Sequence, residues 1–206
     1  MVQESWIFLG NPGAGKSTLL NCLVQRALCF VVRLQYGRVV SQDLATMERV
    51  LDSIRVADVP FGIIINCVGP AVCRNLATDP RAFKRLAALI NSGKYTTPHL
   101  LVIPEMEELL DQDDCVVELP RGVRPALEQF PATYLPRDRV IGINVDGFPG
   151  DVDRLKRSVS SMEQDEELVF TKQRQLEHKR PDFWKIASTA LGVVGAVVSL
   201  VVEIIK

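Results

Sequence analysis

Near its start the sequence reads Gly10-Asn11-Pro12-Gly13-Ala14-Gly15-Lys16-Ser17-Thr18, which matches the pattern G-x-x-x-x-G-K-[ST] completely. The apolar run 6–9 precedes this stretch and predicts a strand, and the run 17–24 follows it and predicts a helix. A strand, a glycine-rich loop and a helix in this order predict a loop that binds nucleotide phosphates. We call residues 10–18 the phosphate loop.

The residue types of the phosphate loop suit the chemistry of a bound triphosphate. Its glycines let the backbone come close to a ligand, so that successive N–H groups can point at phosphate oxygens, and the following helix start adds partial positive charge. Lys16 is predicted to contact the β- and γ-phosphates, and the Ser17 hydroxyl to bind Mg²⁺, the expected cofactor. The predicted phosphate-binding residues are Gly10, Asn11, Pro12, Gly13, Ala14, Gly15, Lys16, Ser17 and Thr18.

Composition limits the other classes of function. The 206 residues carry a net charge of −1, and acidic and basic residues are mixed along most of the chain, so no nucleic-acid partner is expected. The five cysteines include no C-x-x-C pair, and there are two histidines. Reduced thiols in a cytosolic protein therefore fit better than disulfides or a zinc site.

Strand and helix patterns alternate along residues 1–150, which we predict to be one domain. Strands are predicted over 4–9, 28–34, 63–68 and 99–103, and helices over 16–27, 42–55, 80–91, near 105–111 and over 124–130. The alternation predicts a three-layer α/β fold with an open and mainly parallel sheet, followed by a C-terminal helical extension. Together with the phosphate loop it predicts a fold like that of P-loop NTPases. Its ligand is expected at the carboxyl ends of the strands.

The character of the sequence changes after residue 150. Apolar residues recur every three or four positions over 151–178, which predicts a long charged helix over 151–180. This helix either forms a coiled coil, giving self-association, or packs on its own domain. Residues 186–205 are mainly apolar, long enough to span a bilayer, and preceded by Trp184 and basic residues. We favour a membrane anchor within 181–206 that holds the protein on the cytoplasmic face. A core or surface helix in a cytosolic protein is the alternative.

The run 10–21 resembles the first motif of the translation-factor-related GTPases. Within that class it is most similar to the septin-like and the immunity-associated, avirulence-induced GTPases. The resemblance covers 4–27 and, less fully, 60–69. It implies GTP as the ligand, and several such GTPases carry C-terminal hydrophobic anchors, in agreement with 186–205. The phosphate loop alone does not separate GTP from ATP.

The motif that reads guanine in these GTPases, Asn-Lys-x-Asp, corresponds here to Asn66-Cys67-Val68-Gly69. Asn66 is retained and is the candidate base-binding residue; the alternative is a turn residue after a strand. Cys67 stands where the lysine would cover the base, and Gly69 where the aspartate would accept guanine N–H groups. Loss of that pairing weakens the expected discrimination between bases.

The switch segments of a GTPase also lack counterparts. In these GTPases the interval from the first helix to the base-reading strand holds three strands and three helices, which need roughly 80 residues at ordinary element lengths. Here Ser17 to Ile65 spans 49 residues without an Asp-x-x-Gly. We therefore interpret 28–54 as the strand and helix directly before the base-reading strand. A strand predicted over 139–145 ends at Asp146. Asp146 is a candidate second Mg²⁺ ligand if that strand lies beside the first one, and a surface turn residue otherwise.

The sequence thus favours a membrane-associated GTP-binding protein whose hydrolysis is weak or absent, because the switch segment that would position water and hold the metal from its second side has no counterpart. No catalytic residue is predicted. Two alternatives remain open: an ATP-binding P-loop enzyme, such as a small kinase or an ATPase, and a degenerate GTPase-like scaffold tethered to a membrane.

Overall fold

The computed structural model describes residues 7–9, 27–54, 58–106, 120, 122–133, 140–168, 172 and 175, with the backbone alone for 7–9. The strands in this part of the chain are β1 (Ile7–Leu9), β2 (Leu28–Gln35), β3 (Arg38–Val39), β4 (Gly62–Val68) and β5 (Leu100–Pro104). The helices are α1 (Ser41–Asp52), α2 (Pro70–Thr78), α3 (Pro80–Ile90), α4 (Val123–Glu128) and α5 (Phe148–Gln164).

Four of the strands lie side by side in the order β1-β2-β4-β5, and each neighbouring pair is parallel. β3 turns back and pairs antiparallel with the end of β2. Tyr36 and Gly37 between them both have positive φ, 52° and 76°, as two-residue hairpin turns require. The open, mainly parallel α/β sheet expected from the sequence is confirmed in the described residues.

Helices cover both faces of the sheet. On one face, which we call face A, strand residues such as Phe30, Ile63 and Val102 pack with α1, α2, α3 and α5. On the other, face B, alternate strand residues such as Val31 and Ile64 pack with α4. β2 and β4 contribute buried side chains to both faces, which is why they read as continuous apolar runs in the sequence.

The strand predicted over 139–145 is wrong for the described residues 140–145. Val140 forms a single antiparallel bridge with Ile54, and the residues after it form no strand. The guanidinium of Arg49 accounts for this, because it donates to the backbone C=O groups of Asn144 and Asp146 at 3.2 and 2.7 Å. A side chain thus takes the C=O of Asn144, an acceptor that strand pairing would have used.

The helix predicted over 151–180 begins earlier and is interrupted once in the described residues. α5 runs from Phe148 to Gln164, and Asp165 interrupts it with an extended backbone of φ −117° and ψ 94°. The described residues 166–168, 172 and 175 are helical again. Its apolar residues Leu155, Val159 and Met162 are buried in the face-A core. Of the two alternatives left open by the sequence, packing on the chain's own domain is therefore the one seen over 148–164.

The sequence did not predict α2, and several of the predictions made from it concern residues that the structure does not describe. The reason for α2 is that only Cys73 and Leu76 of its residues are buried and its apolar period is therefore short. Of the helix predicted over 16–27 the structure describes only residue 27, and of the helix predicted near 105–111 only residues 105 and 106, which are not helical. The apolar segment 186–205 lies outside the described residues. Within the part of the chain that is described, no helix is both long and apolar enough to cross a bilayer.

Candidate nucleotide-binding site

The phosphate loop begins directly after β1, so the position of β1 in the sheet shows where the loop starts. Ile7–Leu9 pairs in parallel with residues 28–30, and Gly10 follows Leu9 directly. The phosphate loop itself, including Lys16 and Ser17, lies outside the described residues. The phosphate loop therefore begins at the carboxyl end of β1, and open α/β sheets bind their ligands at the carboxyl ends of their strands.

Asn66 lies at this same end of the sheet. It is near the carboxyl end of β4 and opposite Arg33 of β2 in the parallel register, and it is 9% exposed. β2 separates β4 from β1. The structure therefore brings the candidate base-binding residue to the edge where the phosphate loop starts, two strand positions away from β1.

The two substituted positions of the base motif lie in an irregular turn. The β4–β5 register shifts between Ile65 and Val68, and Cys67 in the resulting β-bulge has a φ of 56°. Cys67 is exposed, whereas Val68 after it is buried in the face-A core. Gly69 has φ −57° and ψ 150°, and a Cβ added there would meet no atom within 4 Å. The backbone thus leaves room for a side chain at residue 69.

Charged residues surround the Cys67 thiol. Partial burial raises the pKa of this thiol, the negative charge of Glu105 raises it further, and Arg33 lowers it. Glu105 is held next to the bulge, since its backbone N–H donates to the C=O of Val68 at 2.9 Å. Cys67 is consequently a neutral thiol at pH 7 and is poorly suited to act as a nucleophile.

Asp146 lies near the amino-terminal ends of the parallel strands, whereas Asn66 lies near their carboxyl ends. Its backbone C=O binds Arg49, which is in the last turn of α1. Because α1 connects two parallel strands, it runs back along the sheet and ends near the amino-terminal ends of those strands. The condition under which Asp146 could be a second Mg²⁺ ligand, a 139–145 strand beside β1, is not met by Val140–Val145. Instead, Asp146 precedes α5 as an exposed turn residue.

The expected metal ligand Ser17 is not covered by the structure. The described ranges contain no group of three or more His, Cys, Asp or Glu side chains arranged to hold a metal ion.

A cavity of about 650 Å³ lies on face A, between the end of β2 and helices α2, α3 and α5. Arginines and acidic residues alternate around it: Arg38, Arg81, Arg85, Asp79, Glu163 and Glu166. Arg85 donates to the backbone C=O of Glu163 at 2.6 Å and pairs with Glu166 at 3.4 Å. Its charges are balanced, so the cavity offers no electrostatic attraction for a triphosphate.

Comparison of this chain with known protein families, curated proteins and solved structures finds no match. Its function is therefore inferred from the phosphate-loop sequence and from the geometry of the strand ends.

Sequence reasoning did not single out Arg33 and Glu105. The available signal is that each is the charged residue two positions after the last buried face-B residue of its strand. Charged residues follow many strands in this way, so this signal does not by itself mark a site. It became informative because the order of the strands places both residues beside Asn66.

Proposed function

We propose that this chain is a GTP-binding protein of the P-loop GTPase class that lacks the switch segment and hydrolyses GTP weakly or not at all. One observation carries the proposal: β1, which leads into the phosphate loop, pairs directly with β2, and β2 pairs with the Asn66 strand.

The strand order agrees with the interpretation of 28–54 as the unit directly before the base-reading strand. β1, β2, β4 and β5 follow one another across the sheet, and α1, α2 and α3 between them all pack on face A. Strands that progress in one direction in this way form one half of a doubly wound sheet. Within the described residues, no strand pairs with the other edge of β1, where a second half would lie. The short interval from Ser17 to Ile65 is where such strands would occur in the chain.

The proposed roles follow from the chemistry of each residue. Backbone N–H groups of the phosphate loop and the Lys16 ammonium would bind the phosphates, Ser17 would bind a Mg²⁺ that accompanies them, and Asn66 would contact the base. Hydrolysis needs a positioned water and a metal held from two sides. Asp146, the candidate for the second side, lies at the far edge of the sheet, which favours binding without efficient turnover.

Binding of fluorescent GTP and ATP analogues to the full chain, with Mg²⁺, tests the proposal. Lys16→Ala should weaken GTP binding by roughly 10- to 100-fold, because it removes a charge-assisted contact to phosphate. Lys156→Ala is the matched control, since Lys156 is an exposed lysine on α5. Absent binding, or binding that is insensitive to Lys16, would contradict the proposal, and a preference for ATP would favour an ATP-using enzyme.

Membrane attachment through 186–205 is a second part of the proposal, supported by the length and flanks of that segment. Removal of residues 182–206 should move the protein from the membrane fraction to the soluble fraction. If the truncated chain aggregates instead, the segment belongs to the protein core. Lys16→Ala should leave the membrane association unchanged, whichever nucleotide is bound.

A further inference from the structure

Three neighbouring strands end in polar residues on the same face of the sheet. Side chains alternate between faces along a strand, and two residues earlier each of these strands contributes to the face-B core: Val31, Ile64 and Ile103. Arg33, Asn66 and Glu105 therefore lie on face B at the carboxyl ends of β2, β4 and β5. We call them the polar row. It begins next to β1, because β2 is the direct neighbour of the strand that leads into the phosphate loop.

A backbone hydrogen bond fixes the position of Glu105 beside the bulge in β4. Its N–H bond to Val68 ties it to the bulge that contains Cys67, and its charge acts on the Cys67 thiol together with that of Arg33. The neighbouring Gly69 contributes no side chain, and the space where its Cβ would point is open. Glu105, the residue after β5, is thus held by its backbone beside the bulge that leads into residue 69, where the base motif would have its aspartate.

We propose that Glu105 is the carboxylate that reads the base in this chain and that it selects guanine over adenine. The inference rests on the proposed function and names its specificity-determining residue. The Watson–Crick edge of guanine presents two adjacent donors, N1–H and N2–H, and a carboxylate accepts from both. The corresponding edge of adenine presents one donor and one acceptor, so the acceptor nitrogen is left facing a negative charge.

The test is Glu105→Gln in the full chain, with Mg²⁺ and the nucleotides GTP, XTP and ATP. A glutamine amide presents one acceptor and one donor, which matches the N1–H and C2 carbonyl of xanthine. We expect GTP affinity to fall roughly 10- to 100-fold and XTP affinity to rise above that of the wild-type chain. Glu128→Gln, an exposed glutamate on α4, is the matched control and should change neither affinity. Glu105→Asp keeps the carboxylate and should retain the guanine preference.

The outcomes separate this inference from the proposed function. If GTP binding depends on Lys16 but Glu105→Gln leaves the ratio of GTP to XTP affinity unchanged, Glu105 does not read the base while the proposed function stands. An equal loss of affinity for all three nucleotides would indicate a structural role and would also overturn the inference. If the wild-type chain shows no Lys16-dependent binding of any nucleotide, the proposed function fails, and the inference fails with it.

Discussion

Glu48 of α1 and Arg154 of α5 form an ion pair that joins the two helices on face A. The Glu48 side chain is 5% exposed and that of Arg154 is 48% exposed. The carboxylate also accepts the backbone N–H of Lys94 at 2.5 Å. A single buried acidic group thus connects α1, α5 and the segment that precedes β5, on the face opposite the polar row.

Arg154→Ala should lower the free energy of unfolding by about 2 kcal/mol, because it leaves a buried carboxylate without its cation. Urea unfolding of the full chain measures this difference. Arg157→Ala is the control on the same helix, since Arg157 is exposed and donates to the backbone C=O of Asp153, and it should change stability by about 0.5 kcal/mol or less. Equal effects of the two substitutions would show that the ion pair contributes nothing to stability.

Gly62→Ala should destabilise the fold by about 2 kcal/mol through overpacking on face B. An added Cβ would overlap the Phe130 ring, which lies directly against this first residue of β4. Gly142→Ala is the matched control, because a Cβ at that position meets no atom within 4 Å. Thermal unfolding should show a lower midpoint for Gly62→Ala alone, and a normal midpoint would mean that Phe130 moves aside without cost.

In the Glu105→Gln background, Gly69→Asp should raise the preference for GTP over ATP by about 10-fold, because it restores a carboxylate that accepts guanine N–H groups. The substitution is sterically permitted by the open space and by the ordinary φ and ψ of residue 69. Competition binding of the two nucleotides measures the preference. Gly69→Ala supplies the same Cβ without the carboxylate, so a similar ratio in both variants would place residue 69 away from the base.

The stability of the protein should fall as the pH rises from 9 towards 11, in part through Cys73. Burial raises the pKa of this thiol from 9.0 to about 11, and the thiol donates to the C=O of Val68 at 3.3 Å. The folded state therefore holds the proton more tightly than the unfolded chain, which loses it from about pH 9 upward. Between pH 8 and pH 10 the wild-type chain should lose about 1 kcal/mol more than Cys73→Ala. Parallel losses in the two proteins would exclude this contribution.

The rates at which Cys67 and Cys73 are alkylated provide a further test of their burial. Cys67 is exposed while Cys73 is buried, so peptide mapping after brief treatment at pH 8 should find Cys67 modified to a greater extent than Cys73, and equal modification would contradict the burial of Cys73.

Local patterns in the sequence were enough to predict β2, β4, β5, α1 and α3. A parallel strand buried on both faces must be apolar throughout, and a helix on one face must repeat its apolar residues at helical spacing, so both can be recognised without knowledge of their neighbours. The phosphate-loop pattern is likewise local, because its chemistry depends on residues that are consecutive in the chain.

Only the tertiary structure decided which of the polar residues lie together. Residues 140–145 have the composition of a strand, but they form no strand in the structure, and Arg49, about a hundred positions away, binds the backbone C=O groups of Asn144 and Asp146. These contacts keep Asp146 near the end of α1, away from the carboxyl ends of the strands. The apolar stripe of α5 suited a second copy equally well until its burial against the face-A core was seen. Glu105 looks like any charged residue after a strand, and it gains a proposed role because β5 pairs with β4 beside Asn66. Contacts between distant parts of a chain depend on the order and register of its strands, which local patterns do not specify.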